Sequence, residues 1–223
     1  YWIKPQQILS AEAGSHRFIW DLHYTPLNLP ASYPIAAIYK NTAPAPTSPW
    51  IMPGNYTIKL QVNGQSFSRP LVIKMDPRIK TSFADLQKQH DFSVLCYEGR
   101  LHITKISKET VSVHNQIKDL IGKAQGSLHT SLRSLDEKVT NIENAKPHDK
   151  LKSFNDLYNS FVSSFNLLQE SDMSPTSSTI EAVKSSQKNL IQLEKTWMKI
   201  KTVDIPEANS ELKKAGFPSI TIY

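Results

Sequence analysis

The spacing of the apolar residues changes once along the chain, at Asp76-Pro77, and that change limits the folds open to it more than any other feature. Before it, Tyr56, Ile58, Leu60 and Val62 alternate with Thr57, Lys59 and Gln61, the period of two expected of a half-buried strand. Asn63-Gly64 follows, the pair best suited to a type I′ turn because both central residues need positive φ. A two-residue turn there predicts a hairpin pairing Val62 with Gln65, Leu60 with Phe67 and Tyr56 with Leu71. Arg69 then falls opposite Ile58, where its stem can lie along the sheet with the guanidinium at the rim. Asp76-Pro77 stops the pattern, since proline has no N–H for a ladder and holds the preceding residue out of helical geometry.

Upstream, HRFIWDLHY reads as an earlier strand with Phe18, Trp20 and Leu22 on one face, Trp20 being a core residue. Residues 2–9 and the IAAIY run at 35–39 supply two further short strands, the second an edge strand inside a proline-rich connection. Together these predict a small β-sandwich over residues 1–79.

From Phe83 the apolar residues recur at three, four and seven. Thr81 or Ser82 caps a long first helix, with Asp85 in its first turn. Three more amphipathic faces follow: Leu128 to Ile142, Leu151 to Leu168 and Ile180 to Ile200. Gly122 and Gly126, AKPHDK and ESDMSPTSS separate them, with Ser174 before Pro175 as the cap of the last. A short helix over residues 207–215 ends at Gly216. Residues 80–223 are therefore predicted to be an all-α helical bundle, which makes the whole chain an α+β protein of two domains.

The formal charge of +6 lies mainly in the first part, where residues 1–80 carry eight Lys or Arg against three acids. These cations are single and scattered, not striped among exposed aromatics, so a nucleic-acid partner is not expected. No apolar run approaches a membrane span. The chain opens on Tyr1 without a signal-peptide pattern and reads as a piece of a longer protein.

Chemistry leaves little trace. The single Cys96 excludes an internal disulfide and a multi-thiolate zinc site, and reads as a buried structural thiol. The seven histidines show no ligand spacing, so neither metal nor cofactor is expected. Phosphate loop and Gly-x-Ser-x-Gly elbow are both missing, and the only acids of residues 1–80 are Glu12, Asp21 and Asp76. No catalytic residue is assigned. Aromatics in the proline-rich segment are the binding candidates: Trp50, with Tyr33 and Tyr39, could stack on sugar rings. The alternative is that Trp50, between Pro49 and Pro53, caps the sandwich.

Three stretches, YWIKPQQILSAEAGSHRFIWDLHY, LPASYPIAAIYKNTAPAPTSPWIMPGNYTIKLQVNGQSFSRPLVIKMDPRIKTS and FADLQKQHDFS, with SDMSPTSS and IPEANSELKKAGFPSI further on, carry a family likeness. They resemble the C-terminal region of large secreted bacterial proteins with sortilin-like or glycosyl-hydrolase-like β-propellers built from Asp-box repeats. The resemblance implies an upstream propeller, an Ig- or fibronectin-like sandwich, a terminal helical region and an extracellular or periplasmic location. It also implies that any catalytic residues lie upstream, because this chain has no propeller repeats. The expected role is a non-catalytic accessory region that docks on the propeller of its parent and engages a glycan or protein. The alternatives are a carbohydrate-binding module using the loop aromatics, and the non-catalytic part of a glycoside hydrolase.

Overall fold

A computed structural model describes residues 9–29, 46–144 and 152–222. The chain divides into two compact units, Tyr1–Val94 with Leu168–Pro175, and Leu95–Leu167 with Thr176–Tyr223.

In the first unit, β1 (Gly54–Val62) and β2 (Gln65–Ile73) form an antiparallel hairpin. Its register pairs Val62 with Gln65, Leu60 with Phe67, Ile58 with Arg69 and Tyr56 with Leu71, as the Asn-Gly turn requires. Asn63 and Gly64 have φ of 49° and 78°, the two left-handed residues of that turn. Asp76 closes the end: its carboxylate accepts the Arg78 N–H at 2.9 Å and pairs with the guanidinium at 2.6 Å, while its carbonyl accepts the Ile79 N–H at 3.0 Å.

The expected Ig- or fibronectin-like β-sandwich is not formed. Among the described residues the only sheet has two strands, and Ile58, Leu60, Val62 and Phe67 on its apolar face are 44–54% exposed. Alternation specifies that a strand has an apolar side and leaves open what covers it. The stretch 16–24 could not supply a second sheet: it holds a single bridge, His23 to Trp50, with Phe18 and Ile19 both exposed. Two local interactions take that stretch out of extended geometry. Leu22 turns into the left-handed region at φ 62°, and the Asp21 carboxylate accepts the His23 N–H at 3.1 Å. Trp20 is also not a core residue, being 38% exposed with its indole N–H donated to the His23 carbonyl at 2.8 Å. The strands expected over 2–9 and 35–39 lie, Leu9 apart, outside the described residues.

The helices are α1 (Phe83–Ile121), α2 (Gly126–Glu143), α3 (Phe154–Gln169), α4 (Ser177–Lys199) and α5 (Ile205–Lys214), with a π-helical turn Ile200–Asp204 joining the last two. Ser82 caps α1 by accepting the Asp85 N–H at 3.1 Å and donating its hydroxyl to the Asp85 carboxylate at 2.7 Å. The cap of α4 is Thr176, which accepts from the Thr179 N–H, and not Ser174, whose hydroxyl is donated to Asp85. At the end of α5, Gly216 at φ 77° lets Phe217 N–H reach the Leu212 carbonyl at 2.9 Å, a Schellman closure.

The core of the second unit is built from the expected faces. Leu128, Leu132, Leu135, Val139 and Ile142 of α2 are buried, as are Leu157, Phe161 and Phe165 of α3 and Val183, Leu190, Leu193 and Trp197 of α4. Pro206 starts α5 without a backbone donor, and the π turn before it absorbs the break without ending the helical path. Of the glycines in this unit Gly99 of α1 is the most crowded: a Cβ there would fall 2.7 Å from the ring of Phe161. Phe161 is 1% exposed and has nowhere to move. Gly99→Ala is therefore expected to destabilise the protein by about 1–3 kcal/mol despite the better helix propensity of alanine. Urea unfolding measures this, and Phe161→Leu in the same chain should make the added methyl less costly.

Candidate functional site

Within the first unit, residues 22–24 and 49–51 are held together by two backbone hydrogen bonds, Tyr24 N–H to Pro49 O at 3.0 Å and Ile51 N–H to Leu22 O at 2.9 Å. The Ser48 hydroxyl adds a third, donated to the Tyr24 carbonyl at 2.7 Å. This pairing sets the His23 imidazole against the Trp50 indole, centroids 3.8 Å apart and planes tilted by 36°. Trp50 is 48% exposed, so one side of its ring rests on His23 while much of it stays open to solvent. The Trp50 backbone N–H donates to the Gln169 side-chain carbonyl at 3.2 Å, and the Gln169 amide donates to Ser93 Oγ at 2.9 Å. Gln89 completes this support by donating its amide to the carbonyls of Leu168 and of Ser171.

Beside the indole, the Tyr24 hydroxyl meets His90 Nε2 at 3.1 Å, the two rings edge-on at 5.7 Å. A pocket of about 60 Å³ opens between Trp50, Met52, Met75, Leu86 and His90. That space suits a few waters, well short of the ~300 Å³ or more of an enclosing ligand cleft. The patch is thus a platform, with Trp20, Tyr24 and Trp50 each more than a third exposed. Of the candidate aromatics, Trp50 is held on this platform, whereas Tyr33 and Tyr39 lie outside the described residues. Trp20, Tyr24, His23 and His90 were not legible as companions of Trp50, because each comes from a distant part of the chain and no periodic signal links them.

His23 is the buried member, 7% exposed. Nδ1 lies 3.0 Å from the Asp21 carbonyl, and Nε2 is buried with no hydrogen-bond partner among the described residues. A neutral ring donating from Nδ1 fits this arrangement, while a proton on Nε2 would be left unsatisfied. Burial pushes the imidazole below its ordinary 6.5, outweighing the opposing pull of Asp21.

The wider hollows belong to the second unit. One, about 680 Å³ and open to solvent, runs along Ile103, Ser107, Val111 and Asn115 of α1 with Asn155 and Tyr158 of α3. Among the described residues Lys108 is its one charged lining residue, and none of them supplies the facing carboxyls that glycoside cleavage needs. A second, about 620 Å³, carries Asp204, Glu207 and Glu211, all on the π turn and α5, with Lys138 bonded to Asp204 at 2.5 Å. Carboxyls on one side of one helical path cannot flank a scissile bond. Cys96 is fully buried and its thiol is pushed up to about 12, mainly by burial, which leaves it protonated and inert. Among the described residues no three His, Cys, Asp or Glu gather as metal ligands, and no helix is long and apolar enough to cross a membrane.

The hairpin is the other distinctive surface. Tyr56, Ile58, Leu60 and Val62 share a face with Phe67 and Leu71, and Lys59 and Arg69 are the charges of the hairpin, with Lys74 just beyond it and no acid between Gly54 and Met75. Arg69 is exposed and donates to the neighbouring Ser68 carbonyl at 3.3 Å. No family model matches the chain, and no curated protein and no solved structure is detectably similar to it.

The buried imidazole carries a pH dependence with a definite sign. Its native value lies below its unfolded one, so the stability held in the neutral ring is complete above about 6.5 and is lost as pH falls through the lowered native value. Acidification from about pH 7 to pH 5 should loosen the stack and change Trp50 emission. His23→Gln, which cannot titrate, should remove that part of the change.

Proposed function

We propose that this chain is a non-catalytic accessory region that docks against a folded neighbour through its two-stranded hairpin. By the resemblance of its sequence, that neighbour is an upstream β-propeller of the same parent, and the pair works outside the cytoplasm. The observation that carries the proposal is the exposed apolar face of Ile58, Leu60, Val62 and Phe67. A two-stranded sheet is marginal alone, and a covering surface would supply what it lacks. Burying what remains exposed of these four side chains is worth roughly 3–6 kcal/mol before the cost of association. The near balance of charge in residues 81–223 leaves the helical part suited to solvent, so the contact is assigned to the hairpin.

The test is binding between this chain and its separately produced upstream region. Leu60→Asp with Phe67→Asp should weaken association at least about a hundredfold, given two charges placed in an apolar contact. Unchanged affinity in the double variant, with the helical unfolding transition retained, removes the reading.

A second reading rests on the Trp50 platform, whose half-open indole is set on a buried imidazole with the Tyr24–His90 pair beside it. Such a surface suits the apolar face of a sugar ring, with Tyr24 and His90 offering hydrogen bonds at its edge. Titration of tryptophan emission with polysaccharides tests this: a saturable change that Trp50→Ala abolishes supports it, and titration curves that are flat for the native chain reject it.

A further inference from the structure

The two edges of the hairpin are not equivalent. A two-residue turn makes Val62–Gln65 a hydrogen-bonded pair, and hydrogen-bonded and non-bonded pairs then alternate along the ladder. Thr57 and Pro70 face each other at a non-bonded position. Pro70 therefore costs the hairpin no internal bond, but it removes a donor from the outer edge of β2, a common guard against further pairing. The outer edge of β1 carries no proline. Asn55, Thr57, Lys59 and Gln61 turn their N–H and C=O groups outward there, and no described strand pairs with them.

We propose that the edge of β1 accepts one further strand, supplied by a neighbouring polypeptide in which apolar residues alternate with acidic ones. This rests on the docking reading and specifies how docking occurs. Apolar side chains of the added strand would continue the face of Ile58, Leu60 and Val62, and its polar side chains would continue that of Thr57, Lys59 and Gln61. The acidic character follows from Lys59, which stands on the accepting strand and on the polar face that the added strand's acids would share, with no acid between Gly54 and Met75 to oppose it. A second copy of this chain is disfavoured on the same ground, since it would set one cationic hairpin against another.

The probe is a synthetic peptide of about eight residues alternating valine and glutamate, with lysine in place of glutamate as its control. At low salt the acidic peptide should bind this chain about tenfold or more tightly than the basic one. Lys59→Glu should reverse the preference. Thr57→Pro should weaken binding by about tenfold or more, because it removes an outward donor at the position facing Pro70 while leaving the internal ladder unchanged. Amide exchange should slow on binding at Thr57, Lys59 and Gln61. Equal binding of the two peptides, indifference to Thr57→Pro, or a dimer in sedimentation that Thr57→Pro dissolves would each overturn the proposal. If Leu60→Asp with Phe67→Asp breaks association with the upstream region while Thr57→Pro does not, docking stands and strand addition falls.

Discussion

The second unit depends on a missing methyl. At Gly99 the backbone of α1 lies bare against the ring of Phe161, and α3 packs closer there than any side chain would allow. Next to it the buried Arg100 lies over Tyr158 and Phe165 at 5.4 and 5.5 Å, its aliphatic stem and flat guanidinium filling space between rings. Further along α1, polar tethers take over: Glu143 of α2 receives Ser107 and Thr110, Asp136 meets His114 at 2.6 Å, and Glu109 accepts from both Trp197 and Lys201. These polar tethers run beside a continuing apolar contact, since Val113, Ile117 and Leu120 of the same helix are also buried.

What the residues revealed beforehand was local. The hairpin register was legible because Asn63-Gly64 admits one turn geometry, and that geometry counts outward without ambiguity. The face of α2 was legible because its five apolar positions recur at helical spacing and all are buried. The cap of α4 was misplaced by two residues, since Ser174 and Thr176 are both good caps and the choice falls to Asp85, which engages Ser174.

The sandwich failed for a reason of the opposite kind. An alternating strand announces that one side is apolar, and the expectation supplied a second sheet to cover it from a stretch whose own polar contacts bend it away. Asp21 turns the chain at His23, Leu22 adopts a left-handed backbone, and the Trp20 indole bonds within its own loop. The candidate site shows the same limit. Trp50 stood out as an aromatic among prolines, but its supports, His23 and Gln169, come from distant segments and carry no local mark.

The wide turn at Ile200–Asp204 has a consequence for chain length. The buried stripe of α4 advances by threes and fours through Leu193, Trp197 and Ile200, then skips five to Ile205 before resuming through Ala208 and Leu212. The loop of wider pitch houses one surplus residue, with the Ile205 N–H reaching back five residues to the Ile200 carbonyl, and Pro206 follows directly in the first turn of α5, where a missing N–H is tolerated. Excising one residue here would shorten the step from five to four and let the buried stripe run at ordinary helical spacing from Leu193 to Leu212.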